Sequence, residues 1–195
     1  PLFRSTQVFM FLNKAMPTFK KLLPHVKPTV LAYIHLAEPP AVDIHPDLNV
    51  YFAPYPTNSM HFPLLDERQP ELWRKRFKTW LTKTPNFGMY EYFFSKPSPQ
   101  AYYAAENLRA IAKHSNLKNS FIYTEYTTDR GTKDIGLGAH GWDMGAMHTW
   151  VITKLFWNPH QNVDELYAYY IKRTFRDASP YMQQYFELIR DSWLD

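Results

Sequence analysis

The chain has 195 residues, of which 45% are hydrophobic and 17% aromatic, so it is long enough for a folded domain and is not a disordered sequence. Its formal charge of +4 is spread along the chain without a block of Lys and Arg, which disfavours nucleic-acid binding. The absence of cysteine excludes disulfides, thiolate nucleophiles and Cys-ligated metals, and the absence of a long apolar run predicts no membrane span.

Helix and strand patterns alternate in the first half of the chain. Apolar residues recur every three or four positions over residues 5–23, which predicts an amphipathic helix that Pro17 kinks or tightens. Runs of β-branched and aromatic residues predict buried strands at residues 29–36 and 49–55. Pro70 is well placed in the first turn of the next amphipathic helix, whose apolar face includes Trp80.

Two aromatic strands, each with one acid, mark the second half. Residues 87–94 are apolar on both faces and contain Glu91, and residues 120–127 repeat the pattern with Glu125. A helix over residues 99–116 separates these two strands. The remaining segments predict a glycine-rich loop at residues 128–141 and three helices. The first covers residues 142–157, the second opens at the capping-box variant Asn162-Val-Asp-Glu165, and the third opens at Ser179-Pro180 and runs to the end.

Four buried strands alternating with helices predict an α/β fold with a parallel sheet. Four strands are half of a (β/α)8 TIM barrel, so we interpret residues 1–195 as a single unit that forms the C-terminal half of such a barrel plus closing helices. The alternative is a small open doubly wound sheet, whose usual Gly-rich first turn is missing. The chain opens on Pro1 without a signal-peptide pattern and is interpreted as part of a longer protein. Because a half-barrel has two edge strands, we expect the missing N-terminal half of the barrel or a second copy to cover them.

Several short segments together resemble one protein family. They are Phe11-Leu-Asn13, Leu31-Ala-Tyr33, Asn49-Val50, Leu155-Phe-Trp-Asn-Pro159, Val163-Asp164, Phe175-Arg-Asp-Ala178 and Tyr185-Phe186. In this combination the chain resembles the C-terminal half of a family of bacterial domains of unknown function, which belongs to the glycoside-hydrolase type of TIM barrel and is related to the α-glucuronidases. The resemblance implies a carbohydrate substrate, a role in polysaccharide degradation, and a periplasmic, secreted or cell-surface location.

Glu91 and Glu125 are the candidate catalytic residues. Glycoside hydrolysis needs two carboxyl groups that flank the scissile bond, and these acids lie on consecutive predicted strands. Neighbouring strands of a parallel sheet are about 4.8 Å apart. Two carboxylates that point to the same face at similar height would therefore come within roughly 5 to 8 Å of each other. The alternative is that one of them is a structural acid at a strand end, held by an Arg or a helix N-terminus.

The candidate substrate-binding residues lie at strand ends and in the loops that follow. They are Tyr33, His35, Tyr55, Asn58, His61, Trp142 and Asp143. Aromatic rings suit the flat faces of sugars, and the polar side chains suit their hydroxyl groups. Each has a structural alternative, such as a His held in the fold or an Asp that interacts with a helix dipole.

No metal, cofactor or serine nucleophile is predicted. His140 and His148 are eight residues apart, which differs from the spacing of four that places two metal ligands on one helix face. No Gly-x-Ser-x-Gly motif occurs. The first functional hypothesis is therefore a glycoside hydrolase. The second is a non-catalytic carbohydrate-binding or accessory module, and the third is an α/β enzyme of another class.

Overall fold

The computed structural model describes residues 2–55, 62–94, 99–115, 123–127 and 137–194. Its main elements are α1 (Leu2–Leu22), β1 (Thr29–Ala32), β2 (Asn49–Phe52), α2 (Glu71–Lys83), β3 (Phe87–Phe94), α3 (Ala101–His114), β4 (Tyr123–Thr127), α4 (Leu137–Trp157), α5 (Val163–Phe175) and α6 (Ser179–Leu194). Short 3₁₀ turns lie at Ile34–Leu36 and Arg176–Ala178. The prediction of a mixed α/β fold is confirmed.

The strands form one sheet in the order β1-β2-β3-β4. The pairs β1–β2 and β2–β3 are both parallel, and Val50 lies opposite Val30 on one side and Phe87 on the other. β1 and β4 are the outer strands in this order, as the sequence predicted. Closure into a barrel stays a prediction.

The chain divides into two compact units. The first contains Pro1–Thr57, Leu64–Glu91 and Ala110–Thr124, and the second contains Asn58–Pro63, Tyr92–Arg109 and Glu125–Asp195. The interpretation of residues 1–195 as a single unit stays a prediction.

The core of the first unit lies between one sheet face and the helices. Alternate strand residues, Val50 and Phe52 on β2 and Phe87 on β3, point to this face and are fully buried. Trp80 of α2 stacks on Phe87 with ring centroids 6.3 Å apart and contacts Phe9 of α1 at 5.9 Å. Such aromatic pairs add about 0.5–1.5 kcal/mol each beyond the area they bury. This packing identifies the helix-covered face of the sheet as the core face.

The second unit packs its helices around buried Tyr167. Its ring lies 4.4 Å from that of Phe186, and its hydroxyl is 2.8 Å from Nδ1 of His148. Burial raises the pKa of Tyr167. Nearby, burial and the hydrogen bond to Asp164 raise the pKa of Tyr102. Burial disfavours the charged phenolate, so this network stabilises the unit while its tyrosines stay protonated.

Some element boundaries differ from the sequence predictions. The strands predicted over 29–36 and 49–55 end at Ala32 and Phe52, because the chain turns out of the sheet after each of them. The final glycine-rich positions predicted as loop are helical, since α4 begins at Leu137 rather than at residue 142. α1 continues past Pro17 to Leu22. Residues 116–122 and 128–136 lie outside the described part of the chain.

Candidate functional site

Tyr33 and Tyr55, here called the tyrosine pair, follow the carboxyl ends of β1 and β2. Tyr33 is extended (φ −129°, ψ 147°), so it continues the strand alternation and points away from the core face that Ala32 occupies. The two rings are 6.2 Å apart and tilted by 49°. Tyr55 is 52% exposed, and Tyr33 is half-buried. The tyrosine pair therefore forms an aromatic surface that is open to solvent at this edge of the sheet.

A tight turn over residues 33–38, here called the β1 turn, sets the direction of the chain after Tyr33. The Leu36 amide donates to the Tyr33 carbonyl at 2.9 Å, which closes the turn. Ile34 has φ 45°, an unfavourable backbone region for a β-branched residue. His35, predicted to bind substrate, lies exposed in this turn. Such local strain persists only where surrounding contacts hold it.

Three hydrogen bonds anchor the β1 turn and the residues after it to the helices. The Trp80 indole donates from Nε1 to the Ala37 carbonyl at 2.8 Å in a buried site. The Arg76 guanidinium donates from Nε to Glu38 Oε2 at 2.8 Å. Just beyond, the Ala41 amide donates to the Thr6 hydroxyl at 3.0 Å. These contacts hold the turn, and with it the backbone at Tyr33, on a rigid support.

Glu91 is buried, with 5% of its surface exposed. Side chains alternate between the two faces of β3, so Glu91 points to the same face as Phe87 and Met89, which both belong to the core. Glu91 is therefore on the helix-covered face, whereas the tyrosine pair is at the edge of the opposite face. Glu125 lies on β4, and its side chain is outside the described part of the structure. The convergence of these two carboxyl groups, and their catalytic roles, stay predictions.

The other candidate residues lie in less fully described segments. Asn58 and His61 fall outside the described residues. Trp142 and Asp143 lie within α4 as predicted, although the helix begins five residues earlier, and their side chains are not among those described. Within the described ranges, no group of three or more His, Cys, Asp or Glu could hold a metal ion. The helices of the same ranges include none with the length and apolar character needed to cross a membrane.

Residues 3–187 match the model of a family described as a domain of unknown function, DUF4838. The chain belongs to that family. No curated protein and no solved structure matches it. The resemblance to a family of unknown function is thus confirmed for this DUF4838 domain, and its kinship with glycoside hydrolases and α-glucuronidases stays a prediction.

The sequence of this DUF4838 domain singled out Tyr33 and Tyr55 as separate candidates, but it predicted neither their contact nor the turn that positions Tyr33. The run Tyr33-Ile-His-Leu36 has the composition of a strand, and a β-branched residue gives no signal of positive φ. The apolar spacing of α2 identified Trp80 as a core residue. The indole N–H of Trp80 was the one signal in the sequence that this residue also anchors a turn, because a buried indole N–H usually donates a hydrogen bond.

Proposed function

We propose that this domain binds a carbohydrate chain at the carboxyl ends of β1 and β2, as part of a glycoside-hydrolase-type barrel. The tyrosine pair is the observation that carries the proposal. Each tyrosine combines a flat apolar ring with a hydroxyl group that can donate and accept hydrogen bonds. A sugar ring has the complementary surface, with apolar C–H groups on its face and hydroxyls around its rim.

The rigidity of the β1 turn supports a binding role. Ordering a mobile side chain on ligand binding costs about 0.5–1.5 kcal/mol, and a held backbone lowers that cost. The anchors from Trp80 and Arg76 provide this support before any ligand arrives. Such a scaffold is typical of sites that recognise a ligand by shape.

The strand order supports the barrel. In a (β/α)8 barrel, consecutive strands are neighbours and ligands bind at their carboxyl ends. The described sheet has the order β1-β2-β3-β4 without a reversal. A doubly wound sheet reverses its order at the point where the ligand binds. The order therefore favours a barrel segment over the open-sheet alternative.

Glycoside hydrolysis by Glu91 and Glu125 is the second candidate function. The two acids lie on β3 and β4, which are neighbours in the strand order. Paired carboxyl groups on such strands are what this reaction requires. Glu91 points to the same helix-covered face as Phe87 and Met89. A catalytic carboxyl must reach the sugar, so this orientation favours the non-catalytic binding module over the hydrolase.

A glycan-binding assay tests the first candidate. The wild type is screened against neutral and uronic-acid polysaccharides, and the dissociation constant of the best ligand is measured for Tyr33→Ala and Tyr55→Ala. Loss of one stacking ring should weaken binding by about tenfold, and the Phe variants should keep most of the affinity because they retain the ring. Tyr181→Ala removes a tyrosine from α6 that is more exposed, at 74%, and should leave binding unchanged. Equal losses at Tyr181 and at the tyrosine pair would contradict the proposed site.

The same ligand separates binding from hydrolysis. Release of reducing ends by the wild type, lost in Glu125→Gln and Glu91→Gln without loss of binding, would establish the hydrolase. Binding without product would identify the non-catalytic module.

A further inference from the structure

A row in which two stacked aromatic rings lie between two cations is found on the outer side of α4 and α5, within the second unit. It consists of Lys154, Trp150, Tyr169 and Arg173, and is called the cation–aromatic row. Trp150 and Tyr169 stack with centroids 5.8 Å apart and an interplanar angle of 10°. Lys154 Nζ lies 5.2 Å from the Trp150 centroid, and Arg173 Cζ lies 5.9 Å from that of Tyr169. Both cations are within cation–π distance, so the rings hold them in place.

The two cations of the row have no carboxylate partner among the described residues. Within the described part of the chain, Arg76, Arg109 and Arg190 each pair with a carboxylate, whereas Lys154 and Arg173 form no ion pair. A cation–π contact with an aromatic ring does not neutralise the positive charge of the cation. The row therefore presents two positive charges that the rings hold in place and that no described carboxylate neutralises.

Neighbouring side chains extend the positive character of this surface. Lys172 and Arg176 are exposed and follow Tyr169 on α5 and at its end. The exposed acids closest in sequence are Asp164 and Glu165, in the first turn of α5, and Asp177, directly after Arg176. With Lys154 and Arg173 counted, cations outnumber these acids, so the surface attracts anions.

Trp157 adds an open ring beside the row. It is three residues beyond Lys154 and seven beyond Trp150, which places all three on one side of α4. Its side chain is 92% exposed, although a Trp buries more apolar area than most residues when it packs. An exposed tryptophan next to ordered cations offers both stacking and charge to a ligand.

We infer that this face of α4 and α5 binds an acidic polysaccharide. The carboxylate or sulfate groups of its sugars pair with Lys154 and Arg173, and the apolar face of a sugar ring stacks on Trp157. Among the described side chains of these two helices, the large exposed hydrophobic residues are Trp157 and Tyr169, and no exposed large aliphatic side chain that could insert into a membrane is among them. The inference concerns a second binding surface and does not depend on the tyrosine pair.

The test measures binding to polygalacturonate, with neutral dextran, RNA and anionic lipid vesicles as competing ligands. The double variant Lys154→Gln with Arg173→Gln should weaken polygalacturonate binding by about tenfold, with a shallower salt dependence. The matched control Lys14→Gln with Lys21→Gln removes the same charge from exposed positions of α1. Equal losses in the two double variants would reduce the effect to net charge and overturn the inference.

Trp157→Ala gives an independent measurement, because so exposed a side chain contributes little to folding. It should weaken polygalacturonate binding severalfold, and Trp157→Phe should restore most of it. Unchanged affinity in Trp157→Ala would overturn the inference. So would vesicle or RNA binding that is tighter than polygalacturonate binding and depends on the same residues.

Discussion

Ile34 is the residue at which backbone strain and the candidate site meet. Its φ of 45° places Cβ in a crowded position, at a cost of roughly 1–2 kcal/mol. Ile34→Gly removes the strain but makes the unfolded chain more flexible, whereas Ile34→Ala keeps a Cβ and the strain. We therefore expect the free energy of unfolding of Ile34→Gly to exceed that of Ile34→Ala by about 1 kcal/mol, measured by urea denaturation.

A comparison at a regular helical position provides the control. Lys78 is exposed in the middle of α2, and there the Ala variant should be more stable than the Gly variant by about 1 kcal/mol. The order of the two variants is thus opposite at the two positions. The same order at both would show that Ile34 carries no backbone strain.

At the scale of the element, the start of α5 depends on one cap. The Asn162 side chain accepts hydrogen bonds from the amides of Asp164 and Glu165. Asn162→Ala leaves these amides without that acceptor and should lower the free energy of unfolding by about 1 kcal/mol, whereas Asn162→Asp should keep it. Thermal or urea unfolding measures both variants, and equal stability of the Ala variant and the wild type would contradict the role of the cap.

The elements that the sequence predicted well have strong local signals. The cap at Asn162 and the Ser179-Pro180 start of α6 were both found, because caps and helix-starting prolines act within one turn. The β1 turn was misread as strand because its residues have strand propensity, and contacts from Trp80 and Arg76, distant in sequence, hold it there instead. The sheet face to which Glu91 points depends on the register of β3 against β2, and a single sequence does not contain that register.

For the whole molecule, buried tyrosines determine the response to high pH. The pKa of Tyr167 and of Tyr102 is raised above the ordinary value near 10, in both cases mainly by burial. Above pH 10 the unfolded chain loses these protons more readily than the folded protein does. Stability should therefore be constant up to about pH 10 and fall as the pH rises from there towards the folded-state pKa, by up to about 1.4 kcal/mol per pH unit for the fully buried Tyr167. Tyr102 is half-buried, so solvent screening makes its contribution smaller.

Urea denaturation between pH 8 and 11 measures this loss, and absorbance of the phenolate follows ionisation. Tyr167→Phe should be less sensitive to high pH than Tyr181→Phe, since Tyr181 is exposed on α6. Equal slopes in these two variants would show that burial of Tyr167 is not the cause.

Trp80 connects the core to the proposed glycan site without belonging to that site. Its ring packs on Phe9 and Phe87, and its indole holds Ala37 in the β1 turn. A random-mutagenesis screen for variants that no longer retain glycan would therefore return Trp80 alongside the tyrosine pair. Substitutions at Trp80 would be distinguishable there by second-site suppressors, which should arise among its packing neighbours in α1 and β3.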